Sequence, residues 1–179
     1  MTDTTLPKPA GELSAGESLT KDDDVSPFDC GKTSLNDCLK LFALTHQNSD
    51  AARTSVIHRG GRVVGYYSLT AGSIGRHESP ARVAKGLAAH PLGVIFLTRL
   101  TVDRGEQGTG IRRALLVNVL TRCVEAAAMI RARAVLVHAL DERAAAFYRR
   151  FGFEPSSLDP NQFLLLMKDL RATLKSLGH

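Results

Sequence analysis

The run "VIFLTRLTVD", followed at once by "RGEQGTGIRRALL", limits the folds open to this chain more than any other stretch. A nearly unbroken apolar segment of this length reads as a strand buried on both faces. The two glycines around Thr109 read as a tight turn feeding a long helix of about Gly108 to Ile130. Strand, glycine loop and helix in that order belong to α/β architecture. The first-turn N–H groups of a helix and the positive end of its dipole form a ready anion site, and glycines let a phosphate approach that backbone closely. A Walker loop is excluded because no Gly-Lys-Ser/Thr closes the segment. A dinucleotide fingerprint fits poorly, since its third glycine would fall on Arg113. By itself a Gly-x-Gly turn is ordinary loop chemistry, so the segment needs a second witness.

The rest of the chain supplies a consistent order of elements. "FDCGK" precedes Thr33 and Ser34, either of which can cap a helix carrying Leu35, Cys38, Leu39 and Phe42 on one face and ending near "HQNSD". "RTSVIHR" and "RVVGYYSLTAG" are β-branched and aromatic runs separated by Gly60 and Gly61, a strong hairpin signal. A loop with "ESPARVAKGLAAHPLG" leads to the buried strand. After the long helix come the strand "AVLVHAL", the short helix "DERAAAFYRRF" and a final strand "FLLLMKDL". This order predicts a mixed sheet with helices on both faces. No repeat at a solenoid period appears, so residues 25–179 read as one domain.

Charge is distributed unevenly. Residues 1–24 carry two lysines against six acids, which leaves 21 basic and 12 acidic side chains, a net +9, for residues 25–179. The N-terminal 24 residues are rich in Pro, Gly, Ser, Thr and acids and read as a flexible acidic tail. Of the 23 basic residues 16 are arginine, which suits phosphate-rich partners such as nucleotides, coenzyme A or RNA as well as plain solubility. The three cysteines, Cys30, Cys38 and Cys123, fit neither a disulfide framework nor a zinc signature, so no metal is expected. Reduced cysteines, with no signal peptide and no apolar run of bilayer length, point to the cytoplasm and away from the membrane.

The second witness is "VHALDERAAAFYRRFGF". It resembles the closing motif of the GNAT superfamily of acyl-CoA N-acyltransferases, Ala-x-x-hydrophobic-Tyr-x-x-x-Gly-Phe, with Ala144, Phe147, Tyr148, Gly152 and Phe153 in those places. The same superfamily's phosphate loop reads Gln/Arg-x-x-Gly-x-Gly/Ala, met here by Gln107, Gly108, Thr109, Gly110, Ile111 and then Arg112. The blocks "RTSVI", "GYYSLTAGS" and "VHALDE" are similar to TacT-type toxins of bacterial toxin–antitoxin pairs, and the similarity runs from Val25 to Leu170. Two departures stand out: Arg112 replaces the final Gly/Ala, and Arg131 sits where relatives commonly place glycine. The Arg112 side chain either crowds the pyrophosphate or points outward and adds a cation to it.

That resemblance implies a GNAT-like, mostly antiparallel sheet and acetyl transfer from acetyl-CoA to the α-amino group of aminoacyl-tRNA, which blocks translation. It makes Tyr148 the general acid for the coenzyme sulfur. Leu100, Thr101 and Val102 would face the pantetheine arm and thioester oxygen, where the partner strand diverges in this superfamily. Gln107, Gly108, Thr109, Gly110, Ile111, Arg112 and Arg113 would hold the pyrophosphate, with Asp141, Ala144 and Phe147 also on the coenzyme side. Asp141 and Glu142 read from the residues alone as first-turn charges of a helix. Lys32, Arg53, Arg99, Arg149 and Arg150 are candidates for the tRNA phosphate surface, and each singly is equally an ordinary solvated charge. Tyr66, Tyr67 and Ser68 are candidate lining for an amino-acid pocket, and His138 reads as a hydrogen-bonded core residue. An acidic antitoxin of ribbon-helix-helix type is the implied partner, and the closing strand with "LRATLKSLGH" is a candidate homodimer contact. Two other functions stay open: a GNAT enzyme for a small or protein amine, and a non-catalytic nucleic-acid-binding module.

Overall fold

In a computed structural model describing residues 11–86 and 90–178, the runs flanking Gly60 and Gly61 are the neighbouring strands β2 (Arg53–Arg59) and β3 (Arg62–Ile74). Both glycines take positive φ, +58° and +79°, as a tight hairpin turn demands. The other strands are β1 (Glu17–Ser18), β4 (Leu92–Val102), β5 (Ala134–His138), β6 (Glu154–Pro155) and β7 (Gln162–Leu166). They form one seven-stranded sheet in the order β1-β2-β3-β4-β5-β7-β6. β4 and β5 are parallel, whereas β1–β2, β5–β7 and β6–β7 are antiparallel. The sheet is the mixed, mostly antiparallel one expected. The helices are α1 (Thr33–Asp37), α2 (Ala43–Asn48), α3 (Ala81–Ala84), α4 (Ile111–Ile130), α5 (Glu142–Arg150) and α6 (Met167–Ser176). A π-helical turn, Cys38–Phe42, joins α1 to α2, so the single helix expected there is interrupted.

The chain divides into two compact units, one comprising residues up to Tyr67 with Leu100–Leu115, the other Ser68–Arg99 with Leu116 onward. In the first, Leu19, Phe28, Cys30, Leu39, Ala43, Val56, Val63 and Tyr66 make the core. Leu19 belongs to the segment expected to be a flexible tail. Residues 11–24 are instead docked: β1 pairs with β2, Ser14 N–H donates to His58 O at 2.8 Å, and Gln47 Nε2 donates to Leu19 O at 2.6 Å. Composition misleads here because edge pairing uses backbone groups, which any polar residue carries. The first ten residues of that tail, three residues of the loop before β4 and His179 lie outside the described residues.

Asp23 fastens this docked segment, its Oδ1 lying 2.6 Å from His58 Nε2. Partial burial would raise its pKa, but hydrogen bonds from Thr20 and His58 outweigh that and hold it below the ordinary value. A carboxylate depressed in the folded state contributes stability above its unfolded pKa and loses it as pH falls through the folded one. The segment is therefore expected to loosen below about pH 4. Amide exchange at Ser14 and His58, corrected for intrinsic rates, will rise there in the wild type. The rise will flatten in Asp23→Asn.

In the second unit Ile74, Val83, Ala84, Leu92, Val94, Ala134, Leu136, Leu164 and Leu166 form the core, with Phe96 against it. Arg82 pairs with Glu154 at 2.8 Å and with Asp169, and Arg133 Nε donates to Val83 O at 3.0 Å, which ties the segment before β4 to its unit. The final strand stops at Leu166. Met167, part of the strand expected from "FLLLMKDL", opens α6, in which Met167, Leu170 and Leu174 are buried at helical spacing. A short apolar run followed by another apolar residue does not reveal where period two gives way to period 3.6.

α4 runs to Ile130, and Arg131 N–H donates to Ala127 O at 2.8 Å with φ at +59°. That backbone favours glycine, which explains why arginine stands out at this position. Cys123, on α4, is fully buried, and burial pushes its thiol up to about 12. It will resist a disulfide reagent in native protein at pH 8 and react once denaturant is added; rapid native labelling at Cys123, mapped by mass spectrometry, would refute its burial.

Candidate active site

The glycine loop belongs to the first unit. β4 delivers Leu100, Thr101 and Val102, all buried, to Asp103, whose side chain caps a 3₁₀ turn over Arg104–Glu106. Asp103 Oδ1 accepts Gly105 N–H at 3.0 Å and pairs with Arg62 Nη2 at 2.8 Å. Its Oδ2 accepts Asp29 N–H at 2.9 Å. Glu106, also buried, is gripped by Arg59, with Nε 2.8 Å from Oε1 and Nη2 3.4 Å from Oε2. Gln107 was expected to meet the coenzyme. Its side-chain amide donates to Cys30 O and Val102 O, both at 3.1 Å, which pins the loop to both segments.

Gly108 and Gly110 have φ of +79° and +86°, and a Cβ at either would meet open space. The turn thus requires glycine for its backbone and leaves its outer side clear. Between them Thr109 Oγ1 donates to Glu106 O at 2.5 Å. Ala114 N–H donates to Gly110 O at 3.1 Å, which makes Gly110 the N-cap and α4 begin at Ile111 rather than at Gly108. The amides of Ile111, Arg112 and Arg113 occupy the first turn, where a helix offers no internal acceptor, and that turn holds no acid. Arg113 is exposed. Arg112 is half-buried with its Nε buried, so this side chain lies against the protein and does not stand out in solvent.

The closing motif belongs to the second unit. Asp141 caps α5, accepting Ala144 N–H at 2.8 Å. Ala144, Ala145 and Tyr148 face inward. Tyr148 is 5 % exposed, its ring edge-on to Phe147 and Phe153 at 5.4 Å each. The β4–β5 ladder ends at Leu97 opposite Val137, and β4 continues to Val102.

The other candidate residues are spread over both units. Arg149 is tied to Glu142 at 2.6 Å and lies 5.2 Å over the Phe163 ring, while Arg150 is exposed. Lys32 and Arg53 are exposed on the first unit; Arg99, on the second, is half-buried with Nη1 3.4 Å from Thr98 Oγ1. Tyr66 is fully buried, edge-on to Phe28, and its hydroxyl donates to Leu35 O at 2.7 Å, so it is core and not pocket lining. Tyr67 and Ser68 are buried too. His138 is hydrogen-bonded, to Asp159 at 2.8 Å, but its side chain is 57 % exposed because β5 ends there. The pairs Arg59–Glu106 and Arg62–Asp103 escaped the sequence reading. Nothing local distinguishes a buried charge from a solvated one.

A strand running into a glycine turn at a helix start, and a capped helix bearing an inward tyrosine, are each elements of an acyltransferase domain. The acetyltransferase (GNAT) domain family matches residues 50–155, and the chain belongs to that family. Within it, the chain is 45 % identical over 161 residues to the tRNA-acetylating toxin of Mycobacterium tuberculosis, covering 90 % of this chain and 96 % of that protein. Among solved structures it is similar to AtaT complexed with acetyl-methionyl-tRNAfMet, with a TM-score of 0.84, 27 % identity, and 90 % of this chain and 98 % of that one covered. It is also similar to an AtaT tyrosine-to-phenylalanine mutant bound to the C-terminus of the antitoxin AtaR and acetyl-CoA, at TM-score 0.76 and 27 % identity, with 92 % and 99 % covered.

Proposed function

We propose that this chain is a tRNA-acetylating toxin that transfers the acetyl group of acetyl-CoA to the α-amino group of aminoacyl-tRNA and so blocks translation. The observation that carries the reading is 45 % identity to a tRNA-acetylating toxin along 90 % of the chain. The basic body supports it, as a polyanionic acceptor requires.

In the reaction the amine nitrogen bonds to the acetyl carbonyl carbon, the carbon–sulfur bond breaks, and the departing thiolate takes a proton. An α-amino group titrates at about 7.7 to 8.0 against about 10.4 for lysine, so a water or a weak base suffices to free it. Asp141 is engaged as a helix cap and is not needed as a base. Tyr148 supplies the proton to sulfur. The amides from Gly108 to Arg113 bind the diphosphate, helped by the arginine charges. Thr101 and Leu100 bind the pantetheine arm along β4 beyond Leu97, with Val102 contributing although its carbonyl also receives Gln107. Ala144 and Phe147 pack beside the coenzyme, and Gln107 and Asp141 shape its loop and helix. Lys32, Arg53, Arg99, Arg149 and Arg150 contact tRNA phosphates. A ribbon-helix-helix antitoxin with an acidic tail restrains the enzyme in the cytoplasm, and a homodimer forms through β7 and α6. A monomer by light scattering would dispose of the dimer.

Purified protein incubated with labelled acetyl-CoA and bulk charged tRNA, then digested, is expected to yield label on aminoacyl-adenosine. Equal labelling of free polyamines would defeat the tRNA assignment, and no acetyl-CoA binding by calorimetry would favour a non-catalytic nucleic-acid module.

A further inference from the structure

Two buried carboxylates stand immediately before a loop read as the seat of a diphosphate. The side chains of Asp103 and Glu106 are each 4 % exposed. Buried charges are poorly screened, so uncompensated they would repel the ligand the loop is meant to hold. Both are answered by arginines at the two ends of the hairpin turn, Arg59 closing β2 and Arg62 opening β3.

We propose that Arg59 and Arg62 are positioning residues for the coenzyme's diphosphate, acting through Glu106 and Asp103 to hold the loop and to cancel its two negative charges. The inference rests on the reading of residues 107–113 as the diphosphate loop. The Arg59 guanidinium is fixed on three sides, by both Glu106 oxygens and by Gly11 O at 2.8 Å. Glu106 in turn carries the loop, because its carbonyl accepts both the Thr109 hydroxyl at 2.5 Å and the Thr109 N–H at 3.4 Å. Any shift of Glu106 therefore moves the residue between the two glycines. Arg62 contributes in parallel. It pairs with Asp103, whose carboxylate also orders Gly105 and Asp29 by accepting their N–H groups. The hairpin turn thus carries the two cations that answer the buried carboxylates of the loop.

The test is steady-state acetyl transfer by the full chain with two donors, acetyl-CoA and acetyl-pantetheine, which lacks the diphosphate. Arg62→Met is expected to raise KM for acetyl-CoA about tenfold. Both kcat and KM for acetyl-pantetheine should stay within about twofold of wild type. Arg59→Met should behave likewise, and adding Glu106→Gln should restore most of the lost affinity by removing the uncompensated charge. Equal KM changes with both donors, a loss in kcat alone, or no rescue in the double variant would overturn the proposal. Should Arg59→Met fail to fold, Arg62→Met decides, since Arg62 is half-exposed and Asp103 keeps two N–H donors without it. Wild-type protein unable to use acetyl-CoA would instead bring down the underlying functional reading.

Discussion

Tyr148→Phe is expected to lower turnover by about a hundred- to ten-thousand-fold, the usual contribution of a positioned proton donor. The ring is 5 % exposed and held edge-on between Phe147 and Phe153, and phenylalanine keeps both contacts. Removing the hydroxyl deletes a hydrogen-bonding group worth about 1 kcal/mol, so the thermal midpoint should move by only about 2 to 4 °C. Nothing in the diphosphate loop changes, and the calorimetric affinity for acetyl-CoA should persist. The informative outcome is therefore a split: binding retained, fold retained, turnover lost. Full turnover in the variant would take the proton-donor role away from Tyr148, and loss of binding would make the residue structural.

Arg59→Met is expected to destabilise the protein by about 3 kcal/mol, the lower end for stranding one member of a buried ion pair. Glu106, with its side chain 4 % exposed, would lose both contacts to the guanidinium, and Gly11 O would lose its donor. In a chain of this size that corresponds to a fall in Tm of about 6 to 12 °C. Arg59→Met/Glu106→Leu should recover much of the loss, because replacing both partners by apolar groups of similar volume removes the stranded charge. Calorimetric or circular-dichroism melting of the two variants measures this. A single variant as stable as wild type would mean that water already solvates Glu106.

How far the sequence carried the fold depends on the range of each signal. The hairpin about Gly60–Gly61, the strand through Phe96 and the helix starting near Asp141 were legible because turn chemistry and side-chain periodicity are local. The closing motif around Tyr148 was legible through resemblance, since a tyrosine on an amphipathic helix otherwise reads as packing. Less was legible at the glycine loop itself. Gln107 matched the motif, yet its amide reaches Cys30 and Val102, a contact set by the return of the chain and invisible along it. Tyr66 looked like pocket lining because aromatic residues serve both pockets and cores, and only its bond to Leu35 O decides the matter.

The sequence by itself determined the order of the main strands and helices up to β7, the two glycines that the turn before α4 demands, and membership in an acetyltransferase family. Tertiary structure alone decided that Glu17–Ser18 becomes an edge strand of the sheet, that Met167 starts a helix, and that Asp103 and Glu106 are buried against Arg62 and Arg59. The division has one physical cause. Backbone conformation and periodicity are written over a few neighbouring residues, whereas burial, ion pairing and edge pairing join positions dozens of residues apart and exist only once the chain has closed on itself.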